Sequence, residues 1–147
     1  MEDFVAANEE SRQKLEALVA RLSDADLLLV NDVEWTVAVI LAHLAFWDQR
    51  ALLLVRRWKE TGVQFSPIDV DTINDVVLPF LLAVPPRKAC QIVLEIAKTL
   101  DGELAALPPA FINDVLVTGK NLHLNRANHR QLHMAEIEQL LGQPANG

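Results

Sequence analysis

The chain has one cysteine, Cys90, so no intrachain disulfide can form. That fits a reducing cytoplasm, the expected compartment, and Cys90 reads as a small core residue. Tyrosine is absent and glycine is scarce. No segment alternates polar and apolar residues with period two, so nothing in the pattern calls for a sheet. Long apolar runs are missing as well. The longest uncharged stretch goes from Trp35 to Trp47 and ends at Asp48, well short of the about 20 residues that span a bilayer. Residues Met1 to Glu10 carry acids and lack the basic and apolar regions of a signal peptide. Positive charge is also short: the net charge is −7, the wrong sign for a protein whose main partner is a polyanion. Neither nucleic acid nor a membrane is an expected partner. A small-molecule substrate is, and a homodimer is left open.

What is present points to helices. Apolar residues make up 51% of the 147, enough for one packed core, so residues 1–147 are read as a single domain. A first helix is expected over Asp3–Leu22, with Asp3 as cap and Phe4, Leu15, Leu18, Val19 and Leu22 on one stripe. A turn region, 23–34, follows. A second helix is expected from the cap Thr36 to Glu60, with Gly62 just beyond. Its first half, free of charge until Asp48, should be buried nearly all round. A short helix over 71–83 should be strained or ended by Pro79, and Pro85 and Pro86 mark the next boundary. A third long helix is expected over Pro86–Leu107, stopped by Pro108 and Pro109. A loop over 110–120 and a fourth helix over Asn121–Leu141, closed by Gly142, complete the chain. The expected fold is all-α: a four-helix up-and-down bundle with a short extra helix before the third long one.

Three of the four histidines occupy informative positions. His129 and His133 are four apart and, at about 100° per residue, point the same way within roughly 40°. Two imidazoles one turn apart on one face are a common metal-binding arrangement. His43 sits inside the most apolar stretch of the second helix, where a buried imidazole needs a hydrogen-bond or metal partner. Facing His129 and His133 across the core would supply one. A satisfied core histidine is the ordinary alternative for His43. His123 is about 120° off the stripe and is not expected to be a ligand.

These residues carry a family resemblance. Glu34-Trp35-Thr36-Val37 through Leu41-Ala42-His43-Leu44-Ala45-Phe46-Trp47 resembles the second-helix motif of the DinB/YfiT-like superfamily. Asn128-His129-Arg130-Gln131-Leu132-His133-Met134-Ala135-Glu136-Ile137 resembles its C-terminal HxxxH helix. Asp71-Thr72-Ile73-Asn74 is similar to a segment before the third helix in some members, especially those of the ClbS/DfsB group. The two main motifs occur in the family's order, 86 positions apart. The resemblance implies a four-helix bundle with a nickel or zinc site built by His43, His129 and His133. It also implies, for some members, thiol-dependent transferase or isomerase chemistry with a low-molecular-weight thiol as cosubstrate, and for others hydrolysis or toxin resistance. Ala127-Asn128 stand before His129 where relatives often have an aromatic and an acidic residue, so no substrate preference carries over.

Three neutral imidazoles without a thiolate suit several divalent metals. Three protein ligands leave room for water or substrate, as catalytic sites do. A metal-dependent enzyme acting on a small substrate is the expected function, and a non-catalytic binding or sequestering bundle is the alternative. Glu136 shares the stripe of His129 and can orient an imidazole or act as an acid or base. Arg50 shares the stripe of His43 and can steer an anion. If the second and fourth helices run parallel, Arg50 and Glu136 should pair; if antiparallel, Arg50 should lie near Asn125. Trp47 is the tryptophan best placed to wall a pocket.

Overall fold

A computed structural model describes residues 3–142. The first two residues and the last five, which include the ends of the expected single domain, lie outside the described part. The described residues form six α-helices and one 3-10 turn at Asp26–Leu28, with no strand beyond an isolated bridge between Val30 and Thr36. The all-α class, the four long helices and the short helix before the third are as the sequence predicts.

Helix α1 (Phe4–Ala20) starts where the Asp3 side chain accepts from the Ala6 N–H. Helix α2 (Val37–Thr61) starts where the Thr36 hydroxyl accepts from the Val39 N–H. It stops at Gly62, whose φ of 89° is a conformation that glycine adopts without strain. Val37, Ala38, Val39, Ile40, Leu41, Ala42, Leu44 and Ala45 are all buried. Burial of each large aliphatic side chain stabilises by about 1.5–3 kcal/mol, so this segment is the centre of the core. By length and composition α2 could cross a membrane, but 67% of its apolar window is buried inside the protein, as in the central helix of a bundle.

Helix α3 (Val70–Leu82) is capped by Asp69 and passes through Pro79 without ending there. Its one buried residue is Leu81, so Pro79 weakens the ladder of a helix lying on the surface. Helix α4 (Pro86–Ala105) begins with Pro86 in its first turn. The expected loop over 110–120 is instead largely a helix, α5 (Pro109–Val117). Pro108 and Pro109 end α4, and Pro109 also starts α5, because the proline donor missing at a helix start has no helical partner anyway. The last helix, α6 (Ala127–Gly142), begins six residues later than expected. Residues 121–126 are non-helical, and the Asn125 side chain accepts from the Asn128 N–H in the manner of a helix cap. Leu122 therefore falls before the histidine helix and packs with Trp58, Leu104 and Val115 instead. Whatever follows Gly142, expected to close this helix, is outside the described residues.

Side-chain contacts set the helix directions. Arg12 meets Asp101 and Arg87 meets Asp24, so α1 and α4 are antiparallel. Arg56 meets Glu103, while the first half of α2 packs with Ala89 and Val93, so α2 and α4 are parallel. Asn8 meets Leu124 and Arg21 meets Glu138, so α1 and α6 are parallel. The order of the four long helices is up, down, down, up, so the bundle is as expected while its strict up-and-down alternation is not. The long connection through α3 makes the parallel α2–α4 step possible. The second and last helices are thus antiparallel, which decides where Arg50 and Glu136 lie.

Candidate metal centre

His43 on α2 faces His129 and His133 on α6. The ring centroids are 5.3 Å (His43–His129), 4.9 Å (His43–His133) and 4.8 Å (His129–His133) apart. One ligating nitrogen of each ring lies within 4.8 Å of the other two, and among the described residues His123 is outside this group. The Nε2 atoms of His129 and His133 are 3.2 Å apart. Two nitrogens in a tetrahedral shell at about 2.0–2.1 Å from one zinc ion would be roughly 3.3 Å apart. The donor set fits a divalent ion.

The surroundings prepare two of the rings differently. Nδ1 of His133 is 3.0 Å from Oε1 of Glu136. A carboxylate only accepts, so Nδ1–H donates and the lone pair is left on Nε2, the atom facing His129. Glu136 is held in turn by Asn31, whose Nδ2 donates to Oε2 at 3.0 Å. The Asn31 side chain also accepts from the N–H groups of Val33 and Trp35. These bonds close a tight loop in which Glu34 takes a φ of 66°, a left-handed conformation that costs a non-glycine residue roughly 1–2 kcal/mol. The loop puts the Trp35 indole against His43, with ring centroids 5.1 Å apart.

His43 is only 5% exposed, and its Nδ1 has no hydrogen-bond partner. It is therefore not an ordinary core histidine satisfied by its neighbours. Burial, and then the nearby His133 and His129, push its pKa from 6.5 down to about 3. Burial, His133 and Arg126 push His129 down to about 4. Both rings are neutral at physiological pH, the state in which an imidazole binds a metal.

A pocket of about 860 Å³ opens beside the cluster, and His43, His129 and Trp47 line it. The wall role of Trp47 is as expected, and its Nε1 donates to Oδ1 of Asn74 at 2.9 Å. The expected Arg50–Glu136 pair is not formed. With α2 and α6 antiparallel, Glu136 lies beside Asn31, and Arg50 reaches the carbonyl oxygens of Asn121 and Ser66.

Next to the histidines is a polar cluster that sequence reasoning missed, and its Arg126 also lines the pocket. Arg130 is 1% exposed. It donates to both Asp48 and Asp101, to the Asn8 carbonyl and to the Ser11 hydroxyl. Arg126 donates to Asp48 at 2.9 Å, and the Asn8 side chain receives the Arg126 N–H. The signal was Asp48 itself, an acid on a buried stripe that needs a buried cation. Asn31 had a weaker signal, as an asparagine in a turn.

A family model described as the DinB superfamily matches residues 7–137. No curated protein and no solved structure matches the chain.

Proposed function

The chain belongs to the DinB superfamily, and from that premise we propose that it is a metal-dependent enzyme acting on a small molecule through His43, His129 and His133. The reading rests on one observation: three imidazole nitrogens converge, and two of the rings, His43 and His129, line a pocket large enough for a substrate. Zinc or nickel suits three neutral imidazoles. A divalent ion held this way supplies Lewis acidity, which acidifies water or a small thiol near neutral pH.

The chain's own residues do the rest. His133 is locked in one tautomer by Glu136, and Glu136 is locked by Asn31. Trp35 packs against His43, and Trp47 walls the pocket beside it. The ion pairs of Arg126 and Arg130 with Asp48 tie α6 to α2 next to the site. The reaction is transfer to a low-molecular-weight thiol or hydrolysis of the substrate. The protein works in the cytoplasm without a nucleic-acid partner.

Cobalt-loaded protein tests this reading. Adding small thiols or carboxylates should change its visible spectrum, because the site exchanges ligands. A spectrum indifferent to every added ligand would mean a closed shell, and a non-catalytic bundle with a structural metal would take the place of the enzyme.

A further inference from the structure

The chain carries 20 acidic residues against 13 basic ones, yet the pocket beside the histidines has the opposite character. Arg50, Lys120 and Arg126 line it, and among the described residues no aspartate or glutamate does. Arg126 is neutralised by Asp48 at 2.9 Å. Among the described residues no carboxylate pairs with Arg50. Its described partners are the carbonyl oxygens of Asn121 and Ser66 at 3.4 Å and the Ser66 hydroxyl at 3.5 Å. These are long contacts to neutral oxygens, where a guanidinium would make short, paired bonds to an oxyanion. Burial, and then the positive charge of Arg126, lower the Arg50 pKa from its usual value. That is the direction expected of a cation without a counter-charge.

Position adds to this. Arg50 is seven residues after His43 on the same helix, two turns on and about 10 Å along the axis. Both line the same pocket, with Trp47 between them. Ile68, Ile112, Leu116 and Leu122 make much of the remaining wall apolar.

We propose that Arg50, assisted by Lys120, binds an oxyanion of the substrate, which is therefore a small organic acid with an apolar stem. Its carboxylate or phosphate sits about two helical turns from the end that meets the histidines. This rests on the histidine cluster being the reacting end, but the anion subsite itself can be tested without any metal.

The test is calorimetric titration of the metal-free, full-length protein with hexanoate, hexyl phosphate and hexanol. Wild type should bind at least one of the two acids about tenfold or more tightly than the alcohol. Arg50→Met should abolish that preference and leave the alcohol affinity unchanged, Arg50→Lys should keep part of it, and Lys120→Gln should weaken it less. Whichever acid binds better separates a carboxylate site from a phosphate site. Circular dichroism checks that Arg50→Met is folded; if it is not, the Arg50→Lys and Lys120→Gln variants decide. Equal affinity for acids and alcohol in wild type, or an acid preference unchanged by all of these substitutions, would overturn the proposal. Metal content is measured separately. Failure to bind zinc would overturn the enzyme reading and leave the anion result standing.

Discussion

Two polar clusters lie side by side between α2 and α6, and they are built on opposite principles. The cluster of Asp48, Asp101, Arg126 and Arg130 is closed, with the Arg130 guanidinium spent on two carboxylates, a carbonyl and a hydroxyl. The histidine cluster is open. Nδ1 of His43 has no partner, and two Nε2 atoms face each other across 3.2 Å. His129 and Arg130 are neighbours in sequence, so one helix turns one residue toward a satisfied network and the next toward an unsatisfied one. A closed network holds helices together. An open one, beside a pocket, is arranged to receive something from outside.

The comparison breaks most visibly at Arg130. Arg130→Met leaves Asp48 and Asp101 buried with less compensation, and breaking such a buried pair costs about 3–5 kcal/mol. Urea denaturation should show that loss with or without metal. A loss below about 1 kcal/mol would mean the network is not closed as described.

His129→Ala should act in the opposite way. Metal-free stability should change little, because the described hydrogen bond of the His129 ring is one 3.2 Å contact with His133 Nε2, worth about 1 kcal/mol, while bound zinc per chain falls close to zero. Zinc should raise the melting temperature of wild type and not of this variant. Equal zinc content in the two proteins would remove His129 from the ligand set.

Glu136→Gln sharpens the contrast. An amide can still accept from His133 but no longer carries charge, and the loss of such a partner lowers metal affinity by about 10–100-fold. A competition titration with a chelator reads this. Unchanged affinity would make Glu136 only a loop anchor for Asn31.

Acid should separate the clusters too. His43 and His129 have folded pKa values of about 3 and about 4, below the ordinary 6.5. The unfolded chain therefore takes up protons first. The stability of the metal-free protein is fully present above pH about 6.5 and is lost as the pH falls toward those folded values. Discounted for partial exposure, about 1–2 kcal/mol should go between pH 6.5 and 5. His43→Ala should flatten that slope. A slope unchanged by the substitution would place the acid sensitivity elsewhere. The smallest effect is expected of His123→Ala, which should leave metal content as it is.

The open cluster was far more legible in the sequence than the closed one. His129 and His133 announce themselves by a spacing of four, and His43 by standing in an apolar run; both signals are local. The helix caps at Asp3 and Thr36 and the stop at Gly62 were legible for the same reason. The closed cluster depends on pairs 82 and 29 positions apart, Asp48–Arg130 and Asp101–Arg130, and no local pattern encodes such pairs. Helix direction is equally non-local. The Arg50–Glu136 pair was a sound inference only for parallel helices, and the contacts of α6 with α1 and α2 reverse that premise. Pro108-Pro109 was ambiguous for another reason, since the same residues stop one helix and start the next.

The most direct test of the three-histidine centre is X-ray absorption at the zinc edge of the zinc-loaded protein, alongside zinc content per chain. One ion per chain should show three imidazole nitrogens at about 2.0–2.1 Å and at least one exchangeable light-atom ligand, and the His43→Ala, His129→Ala double variant should lose it. One zinc per chain with the same absorption spectrum in that double variant would contradict the account.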